Sequence, residues 1–199
     1  MRILCSPLYR ENYGHEIWSI DTFVMILSQL EKRHKKRVLK LDEFDSFLGT
    51  MMASARKMLE KLTLDVLDSN RFIIMPLNSK NHWYLLVFDT VEKKFTHMNS
   101  LWSPQSKGMA NVFAKFISGF LFHSCGYEIE KPKVYCRKSR QQIGSLDCGM
   151  YMCLWAKAFA QSTKEYWAYA ENCVIDGHRT KMAATIMEHE GGLLYKEVN

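Results

Sequence analysis

"HWYLLVFDTVEKKFTHMNS", residues 82–100, is the stretch on which the fold turns. Its first eight residues are an apolar run rich in β-formers. "TVEKK" is polar, and "KFTHMNSLW" (94–102) alternates more loosely. Two such runs around a short polar segment predict a hairpin. "RFIIMPL" (71–77) predicts a further strand just upstream, across the polar turn "NSKN". Downstream, "GMANVFAKFISGFLFHSC" (108–125) predicts a helix, and "KPKVYCRK" (131–138) a strand with Pro132 near its start. "DCGMYMCLWAKAFAQ" (147–161) is apolar nearly all round, as in a buried helix.

Four further stretches read as helix. "SIDTFVMILSQLEKR" (19–33) repeats Ile20, Phe23, Val24 and Leu27 at helical spacing behind Ser19, a candidate N-cap. "FDSFLGTMMASARKMLEKL" (44–62) is mainly helical, with Met51, Met52 and Met58 as gap-filling core. Residues 164–172 and 178–190 complete the set. Helices around a small sheet predict an α+β class, and no repeat or linker divides residues 1–199, so a single domain is expected.

Hydrophobic residues make up 47% of the 199, which excludes a disordered chain. The six cysteines show no pairing pattern, and the N-terminus turns polar after four residues, unlike a signal sequence. Free thiols in the cytoplasm or nucleus are the expectation. No apolar run approaches the ~20 residues that span a bilayer. Net charge is +6, much of it in "EKRHKKRVLK" (31–40), which reads better as a solvated helix end than as an import signal. So modest and local a charge does not point to nucleic acid. "HSC" (123–125) and "MEHEGG" (187–192) lack the spacing of a metal-ligand motif, so neither metal nor cofactor is expected. A monomer is the default.

The chemistry centres on "QQIGSLDCGMYM", residues 141–152. Asp147 is a candidate N-cap, which puts Cys148 in the first helical turn, where backbone N–H groups and the helix dipole favour a thiolate. Gly149 leaves room for a substrate backbone. A cysteine nucleophile needs a base, and His82 stands at a strand edge. Asp89 and Asn99 are the candidates to orient its ring. Alternation along a strand sets His82 and Asp89, seven apart, on opposite faces. If Thr90–Lys93 form a four-residue loop with Asp89 facing Lys94, Tyr84 pairs with Asn99. Asn99 then lies one diagonal step from His82. A loop one residue longer or shorter reverses the result. Gln142, six residues before the cysteine, is a candidate oxyanion donor beside the backbone N–H of Cys148.

Together these residues resemble the ubiquitin-like-protein protease family, papain-like cysteine proteases that process and remove SUMO-type and Nedd-type modifiers. The matching elements, in order, are "WSID" (18–21), "FIIMPLNSKNHWYLLVFD" (72–89), "HMNSLW" (97–102), Gln142 and the D-C-G around Cys148. The resemblance implies a papain-like fold with a small mixed sheet. It implies Cys148, His82, Asn99 and Gln142 as catalytic residues. It also implies that Trp18 and Trp83 wall a tunnel for the modifier's Gly-Gly tail and that Asp21 pairs with a basic residue of the modifier. Flat aromatic walls pass glycine and exclude side chains. The partners implied are a ubiquitin-like modifier and its conjugates. Asn99 departs from the aspartate of most members.

Three rival readings share the scaffold. One is acetyl transfer, for which no acetyl-CoA site is recognisable. The second is a viral or effector-type protease with another peptide substrate. The third is a catalytically weak module that binds the modifier.

Overall fold

The computed structural model describes residues 59–79, 81–143 and 147–160, together with positions 56, 177, 179–181 and 184. The elements run α1 (Leu64–Ser69), β1 (Phe72–Ser79), β2 (His82–Asp89), β3 (Lys94–Met98), α2 (Pro104–Cys125), β4 (Val134–Cys136) and α3 (Cys148–Ala160). The sheet order is β1-β2-β3-β4. The first two pairings are antiparallel, and β3–β4 is parallel, with α2 lying in the crossover between them. This is the small mixed sheet of an α+β fold.

Both faces of the sheet are covered, which is why β1 and β2 read as nearly unbroken apolar runs. Ile73, Met75, Leu77, Tyr84, Leu86, Phe88 and Phe95 join α2 and α1 in one core. Phe72, Ile74, Leu85, Val87 and Met98 join α3 in the other. Pro76 is accommodated in β1 because β1 is an edge strand of the described sheet.

The turns set the register. Ser79 pairs with His82, so β1 and β2 also form a hairpin, beyond the one expected between β2 and β3. Asn81 occupies it at φ 61, a left-handed conformation that asparagine tolerates. Asp89 faces Lys94 across the four-residue loop 90–93, and the ladder runs on to Leu85 facing Met98. The condition set for Asn99 is therefore met.

Several boundaries differ from expectation: the strand expected over 131–138 is only Val134–Cys136, and β1 runs on to Ser79. β3 ends at Met98, and α2 begins at Pro104 rather than near Gly108. "SPQS" is a start signal: Ser103 caps by accepting from the Ser106 N–H at 3.1 Å, and Pro104 fits the first helical turn. The helix ends on Gly126 at φ 70, with Tyr127 N–H donating to Leu121 O at 3.2 Å. α1, with Thr63 as its cap, adds a helix the sequence does not announce; six residues are too few to show a period. The helices expected over 19–33, most of 44–62, 164–172 and most of 178–190 lie outside the described residues, as does the basic stretch 31–40. Among the described residues, no helix is long and apolar enough to cross a membrane.

Candidate active site

His82 is the first residue of β2, at the rim of the sheet. Its Nε2 lies 2.6 Å from Asn99 Oδ1. Asn99 comes just after β3 and is 3% exposed, so its end of this bond is shielded from water. The network fixes which end of the amide meets the ring. Leu101 N–H donates to the same Oδ1 at 2.9 Å, and Asn99 Nδ2 donates to Ser106 Oγ at 2.8 Å. Oδ1 can only accept, so Nε2 of His82 carries the hydrogen and Nδ1 holds the lone pair of the neutral ring. Asp89, the other candidate, is engaged elsewhere. Its Oδ1 accepts from Val91 and Glu92 N–H, both at 3.0 Å, and its Oδ2 pairs with Arg71.

Ser100 is the neighbouring anchor. It is fully buried, and its Oγ donates to Gln142 Oε1 at 2.7 Å while its carbonyl accepts from Gln142 N–H at 2.8 Å. This two-point clamp holds a long loop residue 8% exposed and assigns the carbonyl end of its side chain to Ser100. Gln141 is exposed, as expected of a loop residue, yet it also ties the loop down. Its Oε1 accepts from Trp102 N–H at 2.9 Å and its Nε2 donates to Asn99 O at 3.1 Å. Ser139 Oγ donates to the same carbonyl at 2.8 Å. Serines following strands read in sequence as turn residues and a serine in a first helical turn as part of a cap, so Ser100, Ser139 and Ser106 gave no signal of these roles.

Cys148 opens α3 and is buried, 5% exposed. The Asp147 carbonyl accepts the helical bond from Tyr151 N–H at 3.0 Å, and its carboxylate pairs with Arg179. Next in the helix, Gly149 sits against Trp83: a Cβ placed there would meet Trp83 Cδ1 at 3.7 Å. Trp83 adjoins His82, so the start of α3 and the histidine lie at the same end of β2. The 3.7 Å contact is an ordinary one, so Trp83 alone does not demand glycine. Trp18 and Asp21 lie outside the described residues.

Behind the histidine lies a second one. His97 is 1% exposed, edge-on to the Tyr84 ring at 5.3 Å, with Nδ1 3.7 Å from Cys136 Sγ. Its Nε2 has no hydrogen-bond partner among the described residues. Burial, then the nearby charges of His82 and Lys107, pushes its pKa down to about 4. Burial also raises the Cys136 and Cys153 thiols, which keeps them protonated. Among the described residues no group of three or more His, Cys, Asp or Glu side chains could hold a metal ion.

Ubiquitin-like-specific protease ESD4 of Arabidopsis thaliana is 24% identical over 155 residues, 71% of this chain and 31% of that protein. A second Arabidopsis thaliana protein, provisionally designated ubiquitin-like-specific protease 1B, is 23% identical over 145 residues, 66% of this chain and 42% of its own length. The chain thus spans less than half the length of these relatives. A solved C-terminal Ulp1 protease domain, in complex with Smt3, the yeast ortholog of SUMO, overlays with a TM-score of 0.46 at 16% identity. The overlay covers 73% of this chain and 66% of that one. Residues 12–192, most of the chain, match the Ulp1 protease family, C-terminal catalytic domain. The chain therefore belongs to the Ulp1 protease family, a family of cysteine peptidases.

Proposed function

We propose that the protein is a cysteine protease and isopeptidase that cleaves after the Gly-Gly tail of a ubiquitin-like modifier, of SUMO or Nedd type. The observation that carries this reading is the part-buried 2.6 Å bond between His82 Nε2 and Asn99 Oδ1. It gives the imidazole one defined tautomer and leaves Nδ1 as the basic nitrogen, the arrangement a thiol nucleophile requires.

Cys148 Sγ attacks the carbonyl carbon after Gly-Gly as a thiolate, its proton having passed to His82 Nδ1. The tetrahedral oxyanion accepts hydrogen bonds from the Gln142 amide and the Cys148 N–H, donors worth about 3 kcal/mol each when preorganised. As the intermediate collapses, the C–N bond breaks and His82 returns its proton to the leaving amine. Water, deprotonated by His82, then hydrolyses the thioester. Asn99 orients the ring without a charge, which a Cys–His pair tolerates because the thiol is already acidic. Trp83, with Trp18, walls the tunnel for the tail, Gly149 lets the substrate backbone approach the nucleophile, and Asp21 pairs with a basic residue of the modifier.

The test is labelling with SUMO, Nedd-type and ubiquitin probes that end in a thiol-reactive group, beside Cys148→Ala. Labelling by one probe, lost in the variant, is the expected result and names the modifier. Labelling that persists in Cys148→Ala removes Cys148 as the nucleophile. No labelling of the folded protein by any probe removes the modifier as substrate.

A further inference from the structure

We infer that Ser106 is the positioning residue that makes an asparagine serviceable at position 99, by fixing which end of its amide faces His82. The inference rests on the protease reading above and adds a residue to it.

An aspartate would have presented an acceptor whichever way it turned. An amide has one accepting end and one donating end. Turned over, Asn99 would offer its NH₂ group to Nε2. The ring would then have to accept there and carry its proton on Nδ1. That tautomer cannot take the thiol proton, so the base would be lost with every residue still in place.

Ser106 opposes the turn. Its own hydroxyl hydrogen goes to Ser103 O at 2.9 Å, so toward Asn99 it acts as an acceptor. Asn99 Nδ2 fills it at 2.8 Å. A flipped amide would set two acceptors face to face at Ser106 and two donors face to face at Leu101 N–H. Asn99 is 3% exposed and Ser106 7%, so solvent is poorly placed to relieve the clash at Ser106. The serine is itself held from outside the site. It lies in the first turn of α2, where Ser106 N–H donates to Ser103 Oγ at 3.1 Å. The N-terminus of a crossover helix thereby sets the polarity of a catalytic amide.

The test combines kinetics on a modifier substrate with ¹⁵N NMR of the His82 ring at alkaline pH. The variants are Ser106→Ala, Ser106→Thr and Ser118→Ala, with Ser106→Ala also made in an Asn99→Asp background. Ser118 is the structural control. It is equally buried in the same helix, and its hydroxyl bonds Ala114 O at 2.7 Å, away from the site.

Ser106→Ala should lower kcat by roughly tenfold with KM little changed, the loss expected from a buried group left unpartnered. Ser106→Thr, which keeps the hydroxyl, should retain most of the activity, and Ser118→Ala should leave kcat unchanged. In the Asn99→Asp background the loss should shrink below about twofold, because a carboxylate has no wrong end. The ring should be protonated on Nε2 in the wild type and divided between tautomers in Ser106→Ala. Equal losses in both backgrounds, or an unchanged tautomer in Ser106→Ala, would overturn the inference. The NMR arm needs no substrate, so it decides the role of Ser106 even if no modifier is cleaved. If Ser106→Ala does not fold, Ser106→Cys, close in size but a weak acceptor, replaces it in both arms.

Discussion

Asn99 and Ser100, adjacent in the chain, hold two different parts of the site: Asn99 bonds His82 at 2.6 Å, and Ser100 bonds Gln142 at 2.7 Å. The chain has just left β3, so successive side chains still diverge. One dipeptide thereby ties down both His82 and Gln142, the proposed base and the proposed oxyanion donor, and each can be released without touching the other.

Ser100→Ala should act through Gln142 alone. It removes the hydroxyl that donates to Gln142 Oε1 in a buried setting, a loss of about 1–3 kcal/mol. kcat should fall by about tenfold, with KM close to wild type, because a donor aimed at the oxyanion matters in the transition state. Gln142→Ala should cost more, about 10²-fold in kcat. If Ser100→Ala raised KM and spared kcat, Gln142 would be a substrate-binding residue and not an oxyanion donor.

Asn99→Ala should lower kcat/KM by about 10²-fold, because it removes the acceptor from the ring and takes from Leu101 N–H and Ser106 Oγ the amide they bond. Asn99→Asp should retain activity, since either carboxylate oxygen accepts from Nε2. Steady-state kinetics on a cleavable modifier fusion distinguishes the two. An inactive Asn99→Asp protein that is folded would mean that the amide does more than orient the imidazole.

Much of this site is legible before any coordinates. Alternation along β2, the four residues of the 90–93 turn and the polarity of Asn99 lead to the His82–Asn99 pair, once Asp89 is taken to face Lys94. Cys148 and Gln142 stand out by their local setting, and their roles are those proposed above. Ser100, Ser106 and Gln141 are not, because their partners lie 42, 7 and 39–42 residues away and no periodicity connects a serine to a distant amide. The sheet is readable as strands because unbroken apolar runs need cover on both faces. The parallel pairing of β3 with β4 is not, since three residues of "VYC" carry no information about direction.

His97 should make the fold acid-sensitive in a defined window. Its pKa falls from the ordinary 6.5 to about 4, chiefly through burial. Above pH 6.5 both folded and unfolded chains hold it neutral, and its contribution is fully present. As pH drops below 6.5 the unfolded chain binds a proton that the folded chain refuses, so stability is lost progressively down to about pH 4. The loss reaches up to about 3 kcal/mol. His97→Phe keeps a flat ring beside Tyr84 and removes the titration. Urea denaturation at a series of pH values should therefore show a flatter profile for the variant between pH 6.5 and 4. Parallel wild-type and variant profiles would assign the acid sensitivity to other groups.

Trp155 tests how α3, the helix of the proposed nucleophile, is held. It is fully buried in the core between α3 and the sheet, stacked at a tilt on Tyr151 with ring centroids 5.6 Å apart. Trp155→Ala should cost about 3–5 kcal/mol, a large share of the roughly 5–15 kcal/mol that stabilises a domain. The tryptophan is about two helical turns from Cys148, so the chemistry itself should be intact. Activity should fall in proportion to the folded fraction, and a lower temperature of assay should recover part of it. kcat per folded molecule, from active-site titration with a thiol-reactive probe, should match wild type. A reduced kcat per labelled site would show instead that the packing of α3 against Leu85 and Val87 sets the position of Cys148 as well as the stability of the fold.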